Sequence, residues 1–106
     1  LDGADLGGYG NVHVVYSMPG AIRGNHYHVV GTEICSITGP AQVCYREAGE
    51  VVTRRVPDAE VWRFTFPPGV SHAFRNEGTQ PMILAAFNTE AHDPNRPDAV
   101  RDVLIE

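Results

Sequence analysis

The sequence predicts an all-β sandwich or barrel, and three observations carry that reading. Gly and Pro punctuate the chain densely, at Gly7-Gly8, Pro19-Gly20, Gly39-Pro40, Pro67-Pro68-Gly69 and Gly78. Between these marks lie short runs rich in Val, Ile, Thr, Tyr and Phe, residues that suit a pleated, half-buried surface. No stretch reads as a long amphipathic helix, and turns at intervals of about 8–12 residues fit a sandwich or barrel.

The elements follow in order. Asn11 to Met18 places Val12, Val14, Tyr16 and Met18 on one face by period two, with Asn11, His13 and Val15 on the other. Glu33 to Thr38 and Ala41 to Arg46 flank Gly39-Pro40 and read as a hairpin, which puts Cys35 and Cys44 on facing strands. Val51 to Val56 follows, then Glu60 to Phe66, where Trp62, Phe64 and Phe66 form a stripe read as core or dimer interface. His72 to Asn76 and Pro81 to Asn88 read as strands, and Val100 to Ile105 as a strand or short helix. Glu90 to Asp98 is the one extended loop near the end, and long loops at a barrel mouth often carry function.

Composition limits the function. With 106 residues, one domain spanning 1–106 is expected. Net charge is −5 and the eight basic residues are scattered, which argues against nucleic acid or an anionic membrane as partner. All eight are arginines, so chemistry that needs a lysine of this chain is excluded. Two cysteines, no signal-peptide pattern and no membrane-length apolar run predict a reducing, cytoplasmic setting. The chain opens on Leu1 rather than Met, as a trimmed chain or the tail of a longer polypeptide would.

Three of the five histidines stand where metal chemistry would want them. His26 and His28 are separated by one residue, so on a strand both imidazoles share a face about 7 Å apart. Glu33 follows across a short turn, and His72 starts a strand after Pro67-Pro68-Gly69-Val70-Ser71. Three imidazoles and a carboxylate make a mixed nitrogen and oxygen site suited to zinc, iron, nickel or manganese.

These residues also carry a resemblance. Gly20, His26-x-His28, Glu33 and Gly39 resemble the first cupin motif, and Pro67-x-Gly69-x-x-His72-x-x-x-Asn76 resembles the second. The spacing from Glu33 to Gly39 is one residue shorter than usual, and Val61 stands where a glycine often opens the second motif. The resemblance covers roughly residues 10 to 90 and implies a double-stranded β-helix, the cupin jelly-roll barrel, holding one divalent metal ion on His26, His28, Glu33 and His72.

Two further strings narrow the resemblance. Arg23-Gly24-Asn25-His26-Tyr27-His28 looks like the RGxHxH or RGxHxQ signature of cupins that work on nucleotide-linked sugars. Glu90 to Asp98 resembles the NExFDPxxPD segment closing the cupin domain of capsular polysaccharide epimerase-reductases, with Glu90, Asp93, Pro94, Pro97 and Asp98 matching. The implied activity is epimerisation or isomerisation beside the carbonyl of a keto sugar nucleotide, with zinc the first choice of ion. In metal-free sugar epimerases the histidine matching His26 is the catalytic base, but a histidine bound to a metal has its lone pair occupied. The base would then be Glu90, His92 or Tyr45. Arg23 heads the motif and is the expected substrate contact, since a forked guanidinium matches diphosphate oxygens; Arg46, Arg63 and Arg75 are weaker choices. An exposed sheet edge and the aromatic stripe suggest a homodimer. Two other readings stay open: a mononuclear metal dioxygenase, and a non-catalytic cupin that binds a small ligand.

Overall fold

Side-chain alternation decides which face of each run is buried. Along Glu33–Thr38, Glu33, Cys35 and Ile37 are buried while Ile34, Ser36 and Thr38 are only partly covered, the two-residue period of a strand with one face on a core. The computed structural model describes residues 10–91, 93 and 95–106. Gly7-Gly8, His92 and Pro94 lie outside them.

The described residues form nine strands: β1 (Asn11–Ser17), β2 (Ile22–His28), β3 (Glu33–Thr38), β4 (Ala41–Glu47), β5 (Glu50–Val56), β6 (Val61–Phe66), β7 (His72–Asn76), β8 (Met82–Asn88) and β9 (Ala99–Arg101). They pair into two antiparallel sheets, ordered β1-β8-β3-β6 and β5-β4-β7-β2-β9. The sheets face one another as a jelly-roll barrel. Among the described residues no helix is long and apolar enough to cross a membrane.

Ile37, Val43, Val56, Phe74, Met82 and Leu84 meet between the sheets and form the core. Each such side chain contributes about 1.5–3 kcal/mol through burial. Phe66 belongs to this core, with Trp62 and Phe64 packed against it, so the aromatic stripe faces inward and leaves the dimer reading without its support. The exposed apolar face lies on β1 instead, at Val12, Val14, Tyr16 and the adjoining Met18.

The expected hairpin across Gly39-Pro40 is not one. β3 pairs with β6 and β8, whereas β4 pairs with β5 and β7, so the chain crosses from one sheet to the other at this corner. Both strands carry buried apolar residues, Cys35 and Ile37 on β3, Ala41 and Val43 on β4, and these meet across the barrel interior. Gly39 is needed because a Cβ there would lie 1.9 Å from the Pro57 carbonyl oxygen. The true hairpin comes one strand later. β4 and β5 close at Ala48-Gly49, both with positive φ, which suits the twist of paired strands. Cys35 and Cys44 are both free thiols; Cys35 points into the barrel, while Cys44 lies in a separate cluster.

The end of the chain is shorter as a strand than expected. β9 pairs Ala99 with His28 and Arg101 with His26, and the remaining residues run as an irregular tail. That tail covers a second apolar cluster of Cys44, Ala73 and Ile105, flanked by Ile22 and Leu104. Asn25 holds it there: its Nδ2 donates to the Ile105 carbonyl at 2.9 Å, and its Oδ1 accepts from Leu104 N at 2.8 Å and Ile105 N at 3.1 Å. Asp102 accepts from Arg46 through two guanidinium nitrogens and from the Ser71 hydroxyl at 2.6 Å, while its backbone N–H donates to the Asn25 carbonyl.

Asn25 sits at φ 57, a conformation unfavourable for most side chains. Asn25→Ala removes its hydrogen bonds and keeps the strain, so urea unfolding should show a loss of roughly 2–4 kcal/mol. Asn25→Gly relieves the strain and should fall between that variant and the parent.

Candidate metal centre

Four polar side chains converge at one end of the barrel, and the strand geometry explains each. His26 and His28 both face inward from β2, with Asn25 in an irregularity of the β2–β7 pairing between Gly24 and His26. Gly24 permits the close approach: a Cβ there would lie 2.7 Å from the His72 carbonyl oxygen. His72 opens β7, pairing with His26 on one side and Tyr45 on the other. Glu33 opens β3, between Phe66 and Asn88.

The donor atoms of His26, His28, Glu33 and His72 all lie within 4.8 Å of one another. The shortened spacing after Glu33 therefore leaves the carboxylate in the cluster. Its Oε2 lies 2.7 Å from His28 Nε2 and 3.0 Å from His72 Nε2. His72 is 1% exposed, and its ring stacks on Phe66 with centroids 4.3 Å apart.

The chemistry of the donor set fits a divalent ion. His72 Nδ1 lies 3.0 Å from the Val70 carbonyl oxygen, which can only accept, so that nitrogen carries the proton. The lone pair of a neutral His72 is then on Nε2, aimed at the centre, as a metal ligand with an outer hydrogen bond requires. Three imidazole nitrogens and one carboxylate oxygen match the preferences of zinc, iron, nickel and manganese.

Burial and mutual charge set the protonation of the cluster. Burial foremost, then the neighbouring His72 and His28, lower the pKa of His26 to about 4, so it is neutral at physiological pH. The hydrogen bond to Glu33 raises His28 above its ordinary value, against the opposing effect of burial. Burial alone would push Glu33 up, but hydrogen bonds from His28 and His72 hold it far below the usual carboxylate range. The Cys35 thiol, deeper on the same face of β3, is pushed up by burial and then by Glu33, so it stays protonated.

The other expected residues are distributed around this centre. Glu90 is exposed and lines a cavity of about 130 Å³ that His28 also borders, together with Asn11, Asn88, Arg96 and Asp98. Tyr45 lines a second cavity of about 340 Å³ with Arg46, Arg63, Phe64 and Phe66, and its hydroxyl accepts from Arg54 at 3.4 Å. His92 lies outside the described residues. Arg23 is exposed, bonds the Tyr16 carbonyl at 3.5 Å and lines neither cavity among the described residues. Arg46 and Arg75 are engaged with the tail, at Asp102 and the Glu106 carbonyl. Sequence reasoning passed over Asp98, Asp102 and Ser71, which brace the histidine strands from behind; only Asp98 had a signal, as a matched position of the closing segment.

The family described as polysaccharide biosynthesis C-terminal domain matches residues 4–100. The chain is similar to the spore coat polysaccharide biosynthesis protein SpsL of Bacillus subtilis (strain 168), 29% identical over 93 residues that cover 80% of this chain and 62% of SpsL. It superposes on the capsular polysaccharide assembling protein CapF from Staphylococcus aureus with a TM-score of 0.79 at 28% identity, covering 89% of this chain and 26% of CapF. The chain thus spans less than two thirds of SpsL and about a quarter of CapF. QdtA, a sugar 3,4-ketoisomerase from Thermoanaerobacterium thermosaccharolyticum solved in complex with TDP, gives a TM-score of 0.69 at 17% identity, over 89% of this chain and 67% of QdtA. That last likeness is one of fold. The barrel is a cupin.

The histidine shifts give opposite pH dependences. His26 in the folded chain has a pKa of about 4 against 6.5 when unfolded, so between these values the unfolded chain binds more protons and acid favours unfolding. His28 is raised, so its contribution is present below pH 6.5 and lost as pH rises through its folded value. Melting temperature measured with chelator should fall from pH 6.5 towards pH 4, and His26→Ala should flatten that part of the profile.

Proposed function

Because the chain belongs to the polysaccharide biosynthesis C-terminal domain family, we propose that it is a metal-dependent cupin enzyme of carbohydrate biosynthesis that epimerises or isomerises a keto sugar nucleotide beside its carbonyl. The observation that carries this reading is the cluster of His26, His28, Glu33 and His72, with a cavity that His28 also borders. The TDP bound to QdtA supports a nucleotide-linked substrate, and zinc is the first choice of ion.

A divalent ion held by these four residues would supply Lewis acidity to a carbonyl oxygen and to the charge that develops on it. The chain's own groups must move the proton. A base takes the proton from the carbon beside the carbonyl, the C–H electron pair passes into the enolate, and a donor returns a proton to carbon. A His26 that held the ion would have its lone pair committed, which leaves the proton to other groups. Glu90 lines the cavity that His28 borders, and Tyr45 lines a separate one with Phe66, whose ring stacks on His72; these two are the proposed proton-transfer groups. His92 completes the set of candidates, and Arg23 is the proposed contact for the diphosphate.

Exchange in heavy water tests the reaction. Zinc-loaded protein with a nucleotide-linked 4-keto sugar should place deuterium on the carbon beside the carbonyl, as read by proton NMR. His28→Ala should lower both metal content and exchange at least tenfold. Wild-type protein that carries metal but exchanges no deuterium would overturn the reading. Oxygen uptake with an iron-loaded sample would point to the dioxygenase instead, which the same donor set suits.

The second copy is proposed to dock on β1. That strand ends its sheet, and Val14 and Tyr16 on its outer face are 69% and 66% exposed. Sedimentation should give a dimer for the parent and a monomer for Val14→Asp. Unchanged mass in the variant would remove β1 from the interface.

A further inference from the structure

We propose that Asp98 is the positioning residue for His28, an outer carboxylate that fixes which imidazole nitrogen faces the metal. The inference rests on the metal reading above.

The Asp98 carboxylate is tightly placed. Oδ1 accepts from Val30 N at 2.8 Å, Oδ2 accepts from Gly31 N at 2.9 Å, and the Asp98 carbonyl accepts from Val29 N at 3.0 Å. The turn joining the strands of His28 and Glu33 is therefore wrapped around one side chain. Gly31 makes the space: a Cβ there would stand 2.9 Å from Asp98 Oδ2 and 2.4 Å from Asn88 Oδ1. What this arrangement leaves over is a free direction on Oδ2, and it looks at His28 Nδ1 from 3.6 Å.

The two ring nitrogens of His28 thus meet different partners. Nε2 faces the centre and Glu33, while Nδ1 faces an anion held in place by backbone donors. A carboxylate at Nδ1 favours the proton there, which leaves the Nε2 lone pair for the metal and raises the basicity of the ring. His72 reaches the same end by another route, with the Val70 carbonyl at its Nδ1. Asp98 also closes the loop that lines the cavity beside His28, so the part of the chain that borders that cavity also orients a ligand of the centre.

Zinc affinity, measured by chelator competition on the whole chain, tests this. Asp98→Asn keeps an acceptor for the turn but presents a neutral amide to His28. It should weaken zinc about 10–100-fold. Thr89→Ala is the control, because it removes the acceptor for Thr32 N in the same turn without facing the imidazole, and should stay within twofold. Equal loss in both variants, or less than twofold loss in Asp98→Asn, would overturn the proposal. The wild type gives an independent answer should the variant fail to fold. Long-range proton–nitrogen NMR of the zinc-loaded chain should show the His28 proton on Nδ1 and zinc on Nε2; the reverse assignment refutes it. A wild type that binds no zinc sinks the metal reading itself, a result distinct from either.

Discussion

The structure is organised around one demanding interaction, the burial of the Glu33 carboxylate between two imidazoles. An ionised carboxylate taken from water loses far more than a single hydrogen bond restores, so it must be met by several donors or by a cation. Glu33 is 5% exposed, and both His28 and His72 are aimed at the same oxygen. Those two residues come from neighbouring strands of one sheet, β2 and β7, that are far apart in the sequence. Holding them there requires Gly24 to bring β2 close to β7, and a tail that braces both strands from behind.

That bracing is carried by polar side chains rather than by the core. Asp102 touches the residue before His72 through Ser71 and the residue before His26 through the Asn25 carbonyl. Because its carboxylate also receives Arg46 and is held well below the ordinary range by those bonds, it remains ionised in the pH range where the histidines change charge. The apolar contribution of the tail, Ile105 with Cys44 and Ala73, adds area but little direction. Direction comes from hydrogen bonds, whose geometry is narrow.

How much of this was legible in the sequence follows from the range of each interaction. The strands and the inward pairing of His26 and His28 were readable because alternation is local, and Glu33 and His72 were readable through their motifs. The Gly39-Pro40 corner was misread because a turn dipeptide reports a reversal of the chain and not which strand it pairs with. Long-range register decides that, and here β3 and β4 have their partners elsewhere. The braces at Asn25 and Asp102 were hidden because they join residues far apart in sequence, and nothing in an isolated Asn or Asp announces a distant backbone partner; Asp98 showed only as a matched position of the closing segment, without its partners. The stripe on β6 was readable as a stripe, but its inward direction depended on which sheet it joined.

The division between wall and mouth has a chemical consequence. Histidines fixed on strands and engaged by a cation are held still and have no free lone pair, which makes them good ligands and poor bases. On the proposed reading, proton transfer falls to groups outside the donor set: Glu90 just past β8, His92, and Tyr45, which lines a cavity with Phe66. Glu90 and Tyr45 line different cavities. Within one cupin barrel the reaction is therefore decided less by the four donors, which other chemistries could share, than by what the mouth sets opposite them. His28 is where the two meet, since its inner nitrogen belongs to the centre and its outer nitrogen to the loop carrying Asp98.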